Sequence, residues 1–227
     1  MKNIKKPLII IFIILFVDQL IKIYIKTHFL IGDEIRVFGL DWFRIHFLEN
    51  KGMAFGMSWG DKLGKIFLTS ARLILSVIMF IYMKRLSDRK GNNLTVYSIA
   101  LIFAGAVGNI IDSLFYGLIF SESSIFQVAT FFPQGGGYAP MMLGKVVDMF
   151  YFPLIDTVWP DWVPIVGGNS FRFFNAIFNF ADASITIGVC LLIIAAFINE
   201  SKAKKESKKL SSIKHTETTE QNTVVTE

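Results

Sequence analysis

The sequence predicts an all-α membrane protein with four transmembrane helices, a small extracytoplasmic β-sheet and a long outer interfacial loop. Three observations carry that reading. Of 227 residues, 53% are apolar and only 18% charged, at a mean hydropathy of +0.52. Four apolar runs approach or exceed the roughly 20 residues that carry a helix across a bilayer. The basic residues gather at the ends of those runs. A soluble globule seldom has so much apolar content with so little charge. The net charge of +5 therefore does not signal nucleic-acid binding, because lysine and arginine beside apolar runs orient them in a membrane.

The first run, Pro7 to Ile25, follows Lys2, Lys5 and Lys6 and begins like a secretory signal peptide. It continues through Asp18 and Lys22 with no small-residue cleavage pattern, which makes it a retained crossing. The second, third and fourth crossings are expected at Ile66–Met83, Leu94–Tyr116 and Asn175–Ile198. Lys84, Arg85, Arg89 and Lys90 follow the second, and Lys202, Lys204 and Lys205 the fourth. Excess basic charge marks the cytoplasmic side, so both termini are expected inside, with outer segments at 26–65 and 117–174. Residues 1–200 then form one four-helix membrane domain, and 201–227, rich in Lys, Ser, Thr and Glu, a disordered tail.

In the first outer segment Phe43, Ile45 and Phe47 alternate with Arg44 and His46, the period of a strand. The second holds Phe131, Phe132, Phe150, Tyr151, Phe152, Trp159 and Trp162, with Gly135–Gly137 between them. That mixture suits a flexible loop in the headgroup zone, serving either as an anchor or as a gate for substrate. The lone cysteine, Cys190, lies in an apolar stretch and is expected to be a small buried side chain.

Charged side chains inside crossings cost about 2.5 to 3.5 kcal/mol each at the helix centre and usually mark function. Asp18 and Lys22 share a face of the first helix, Asn109 and Asp112 of the third, and Asn179 and Asp182 of the fourth, while Arg72 adds one on the second. The orientation places all of them in the outward half, where one polar cluster can collect them. Residues 73–83 and 186–198 carry no charge, which disfavours an ion path through the full thickness. Structural ion pairs remain the bland alternative. The three histidines form no metal-binding pattern, and the G-x-S-x-G at Gly56–Gly60 lacks the strand-turn-helix context of a serine hydrolase. No cofactor, metal or nucleic-acid partner is expected, and no obligate protein partner is evident.

Five motifs then share one order: Asp18-Gln19 with Lys22, Asn50-Lys51-Gly52-Met53-Ala54-Phe55, Gly105 through Asp112, Val146-Val147-Asp148, and Phe178-Asn179-Phe180-Ala181-Asp182. With these the chain resembles the lipoprotein signal peptidases, or signal peptidase II, of bacterial inner membranes. The resemblance implies an intramembrane aspartic endopeptidase that removes signal peptides from prolipoproteins, cutting before a diacylglyceryl-modified cysteine near the outer leaflet. It implies Asp148 and Asp182 as the catalytic pair. Asp18, Lys22, Asn50, Gly52, Asn109, Asp112 and Asn179 are implied as supporting or substrate-contacting residues, and Asp112 is the rival for Asp148. Membrane lipid and a lipid-modified precursor are the implied partners. Ser113 stands where the family usually has Arg, and Lys145 or Arg172 are candidates for the missing cation.

Overall fold

A computed structural model describes residues 4–50, 61–89 and 92–224. Among the described residues four helices are long and apolar enough to cross a membrane. They are α1 (Lys5–His28), α2 (Asp61–Asp88), α3 (Asn93–Ile111), which runs on through a π turn (Asp112–Tyr116) and a short α4 (Gly117–Ile119), and α5 (Phe180–Val224). On α1, Ile11, Ile14, Asp18, Lys22 and Ile25 recur at helical spacing and face the protein. Leu8, Phe12, Phe16 and Leu20 are exposed on the other side, as a lipid-facing helix requires.

Small residues bring α3 and α5 together. A Cβ placed on Gly105 would lie 2.2 Å from the Ala181 carbonyl oxygen, and one on Gly188 would lie 2.8 Å from that of Ser98. Ser184 Oγ donates to the Leu101 carbonyl at 2.9 Å. Apolar contact alone gives helices little reason to associate in lipid, so close packing and interhelical hydrogen bonds hold them. Gly105 thereby sets α3 directly against the first turn of α5.

A four-stranded sheet has the antiparallel order β1-β2-β3-β6: β1 (Glu34–Arg36), β2 (Arg44–Asn50), β3 (Val146–Tyr151) and β6 (Ile177–Phe178). Ile45 pairs with Phe150 but Leu48 with Asp148, so His46 and Phe47 together oppose one residue of β3 in a bulge. β4 (Ile155–Val158) and β5 (Ser170–Phe173) form a separate hairpin.

The structure adds detail to the expected plan and differs from it at the start of the last crossing and at Cys190. Within the second outer segment β3 completes the sheet and β4 finds a partner in β5, and the rest is loop and turn apart from the end of the third helix. The last crossing starts at Phe180, not Asn175, because β6 uses Ile177 and Phe178. The last helix is continuous past residue 200, to Val224. There Lys204 pairs with Glu200 one turn back at 2.7 Å. Cys190 is exposed rather than buried, on a face with Val189, Ile193 and Phe197, which a bilayer would cover.

Candidate active site

Where the C-terminal ends of α1 and α3 and the start of α5 meet the sheet, the polar residues of the crossings converge. The lower part of the cluster surrounds Lys22, whose side chain is fully buried. Its Nζ lies 3.0 Å from Asp18 Oδ2 and 2.9 Å from Asp112 Oδ2, and it donates to Asn109 Oδ1 at 2.8 Å. A buried ammonium is tolerated only when its desolvation is offset by such partners. Asp18 uses its other oxygen to accept from the backbone N–H of Ala181 at 2.9 Å, which ties α1 to the first turn of α5. Asp112 Oδ2 accepts from the backbone N–H of Val147 at 3.3 Å, the residue before Asp148. Gln19 Nε2 donates to Asp112 Oδ1 at 3.0 Å and to the Gly108 carbonyl at 3.2 Å, and its Oε1 accepts from Tyr116 Oη at 3.1 Å.

The upper part is built around Asn179. Its Oδ1 accepts from the backbone N–H of Asp182 at 2.9 Å, while Asp182 Oδ2 faces the backbone N–H of Asn179 at 3.4 Å. This reciprocal pair is a capping box, the local reason why α5 begins here. Asn179 Nδ2 donates to Asp148 Oδ1 at 2.6 Å and to Asn109 Oδ1 at 3.1 Å. Because Lys22 and Asn179 both donate to Asn109 Oδ1, the Asn109 amide nitrogen turns the other way, where it donates to Asp182 Oδ1 at 2.8 Å. Asn50 Nδ2 donates to Asp148 Oδ2.

Asp148, only 3% exposed, is pushed up to about 7, first by burial and then by the negative charge of Asp182. Donation from Asn179 and Asn50 and the field of Lys22 pull the other way but do not cancel the effect. Arg72 of α2 attracts Asp182 electrostatically.

The structure thus gathers Asp18, Lys22, Asn50, Asn109, Asp112, Asp148, Asn179 and Asp182. Gly52 lies outside the described residues, as do Lys51 and the G-x-S-x-G at 56–60. Asn179 and Asp182 do not share a face of a helical interior: Asn179 is the cap and Asp182 stands in the first turn. Lys145 does not replace a cation at the carboxylate pair. It turns to Glu122 at 3.1 Å and Glu49 at 3.5 Å, and Ser113 Oγ donates to the Asn109 carbonyl at 3.0 Å. Gln19, part of the first motif but not among the residues implied as supporting, contributes as well, as does Tyr116, which no motif contains.

Two carboxylates held by amides, where helices long enough to cross a membrane meet a small sheet, form an arrangement suited to an intramembrane aspartic hydrolase. The family profile described as signal peptidase (SPase) II matches residues 10–198. A "Lipoprotein signal peptidase" of Porphyromonas gingivalis is 47% identical over 186 residues, which is 82% of this chain and 80% of the relative. Another of that name, from Amoebophilus asiaticus, is 33% identical over 78% of this chain and 72% of its own length. A solved structure titled "Bacterial membrane enzyme structure by the in meso method at 2.3 A resolution" superimposes with a TM-score of 0.56 at 25% identity, covering 87% of this chain and 90% of its own. The chain belongs to the signal peptidase II family, the aspartic peptidases that mature lipoprotein precursors.

Proposed function

We propose that Asp148 and Asp182 are the catalytic pair, and that the chain cleaves a diacylglyceryl-modified prolipoprotein ahead of its lipidated cysteine. The carrying observation is that Asn179 donates its side-chain amide to Asp148 at 2.6 Å and turns its backbone N–H to the Asp182 carboxylate at 3.4 Å, while Asp148 is pushed up to about 7. An aspartic mechanism needs one protonated and one ionised acid. Asp148 fits the protonated role, because burial and its neighbour's charge favour the neutral form. Asp182 fits the ionised role, since it accepts from Asn109 and faces the Asn179 backbone N–H in the field of Arg72.

In the proposed cycle Asp182 takes a proton from water as the water oxygen bonds to the scissile carbonyl carbon. Asp148 gives its proton to the carbonyl oxygen, which neutralises the developing charge. The proton held by Asp182 passes to the amide nitrogen, the C–N bond breaks, and Asp148 regains its proton as the carbonyl re-forms. Asp112 is the weaker candidate for the pair: both its oxygens are engaged by Lys22, Gln19 and Val147, which suits a support beneath the site.

The basic clusters favour a multi-pass inner-membrane placement with both termini cytoplasmic and the site near the outer leaflet. There the acyl chains of a substrate can stay among lipid tails while water reaches the peptide bond. The test is to mix purified protein with a lipidated precursor and weigh the products. Two fragments divided before the modified cysteine, and none from Asp148→Asn or Asp182→Asn, are expected. Near-normal turnover by either variant removes this mechanism.

A further inference from the structure

We propose that the buried ion pair between Lys26 and Glu49 is a positioning element of the peptidase, locking β2 in the register that brings Asn50 onto Asp148. This rests on the reading of Asp148 as catalytic and adds residues that lie outside the carboxylate cluster.

Lys26 sits one turn beyond Lys22 on α1, and its side chain is fully buried. Its Nζ pairs with Glu49 Oε1, donates to Ser123 Oγ at 2.8 Å, and lies 5.0 Å from the ring centre of Tyr138 and 5.4 Å from that of Phe120. The Glu49 side chain is 2% exposed. Oε1 also accepts from Ser123 Oγ at 2.9 Å, and Oε2 faces Lys145 Nζ at 3.5 Å. Such a pair contributes little net stability, because desolvating two ions offsets most of their attraction; the best-attested use of buried charge is to fix a register.

The register here matters. Successive side chains of a strand point to opposite faces. Glu49 stands opposite Val147, whereas Leu48 stands opposite Asp148. Glu49 and Lys145 therefore share the face turned to α1 and Ser123, while Asn50 and Asp148 share the other. A slip of one residue would exchange the faces, and β2 carries a bulge two residues before Glu49, where slippage is easiest. Lys26 from α1, Ser123 from the second outer segment and Lys145 at the head of β3 grip Glu49 from three directions. The adjacent Asn50 then reaches Asp148 Oδ2 with its amide.

The experiment compares full-length wild type, Lys26→Met/Glu49→Leu, Glu49→Gln and Asp148→Asn in detergent micelles, with kcat and KM measured separately on a lipidated precursor across pH. The double variant removes both charges together, so no buried ion is left unpaired, and Glu49→Gln keeps the shape should the double variant fold poorly. Both are expected to lose kcat by roughly 10- to 100-fold, the cost of an ångström-scale misplacement, with KM within about twofold. Losing the Asn50 donor also favours protonated Asp148, so the alkaline limb of the kcat profile should move to higher pH. Wild-type kcat with an unmoved limb overturns the proposal, as does a loss that follows only the fraction of folded enzyme. If Asp148→Asn is itself active, the dyad reading has failed; if it is inactive while both other variants behave as wild type, only the positioning role has.

Discussion

Asn179 Nδ2 lies 2.6 Å from Asp148 Oδ1, so the residue that caps α5 is also a hydrogen-bond donor to a carboxylate on β3 of the four-stranded sheet. Helix start and site geometry depend on one side chain. Asn179→Ser separates the two roles, because serine caps helices about as well as asparagine but has no amide to reach Asp148. Thermal stability near wild type is expected, with kcat reduced roughly 10- to 100-fold. Asn179→Ala should lose a further ~1 kcal/mol of stability with the cap. Melting curves and initial rates on the same preparations check both.

Asp148 near 7 makes activity and stability respond to pH in defined directions. Activity that needs its proton should fall as pH rises through about 7, with the dyad titrating as a coupled pair. For stability, folding favours the neutral form of a carboxyl whose folded value is raised. That contribution is fully present below the ordinary aspartate value of about 4 and is lost as pH rises to about 7. Asp148→Asn has no such titration. The melting temperature of wild type relative to Asp148→Asn should therefore drop between pH 4 and 7 and stay flat above. A difference that does not vary with pH would contradict the raised value.

Lys22 is the sole cation in contact with Asp18 and Asp112 among the described residues, all three side chains being fully buried. Lys22→Met leaves two carboxylates without their counter-charge, and breaking a buried pair from one side costs about 3–5 kcal/mol. The variant should unfold at markedly lower temperature or denaturant. The triple variant Asp18→Asn/Lys22→Met/Asp112→Asn should recover part of that loss, because no ion is then stranded. Denaturant midpoints of the two variants in the same detergent decide it.

What could be read from the residues follows from the range of the forces involved. The crossings are written locally, as apolar runs with basic ends; α1 and α3 with its continuation lie within three residues of their expected bounds, α2 extends five residues beyond its own at each end, and the start of α5 falls five residues late, at Phe180. That start is set by a capping box and by β6 pairing with β3, and the second of these is a tertiary event. β2 announced itself by alternation, but β3 is buried at five of six positions and shows no period of two, so Val146–Asp148 was visible only as a motif. The polar residues of the site stood out because apolar surroundings make them costly. Lys26 and Glu49 gave no such signal: they are 23 residues apart, at the edges of segments where charge is ordinary. No spacing rule brings them together; the sheet does.

Gly105 tests how the membrane packing reaches the chemistry. A methyl there would sit 2.2 Å from the Ala181 carbonyl oxygen and 2.7 Å from Ile185 Cγ1, so α5 must shift away from α3 to admit it. Ala181 also donates its N–H to Asp18 and immediately precedes Asp182, so the shift would strain the tie to α1 and pull Asp182 from Asn109. Overpacking of this kind costs about 1–3 kcal/mol. Gly105→Ala is expected to lower the melting temperature moderately and kcat more steeply than the loss of folded protein explains. Ala104→Gly, one position away but also fully buried, removes volume rather than adding it and should lower stability while leaving kcat per folded molecule close to wild type. Equal kcat per folded molecule in both variants would show that the separation of α3 and α5 does not govern the position of Asp182.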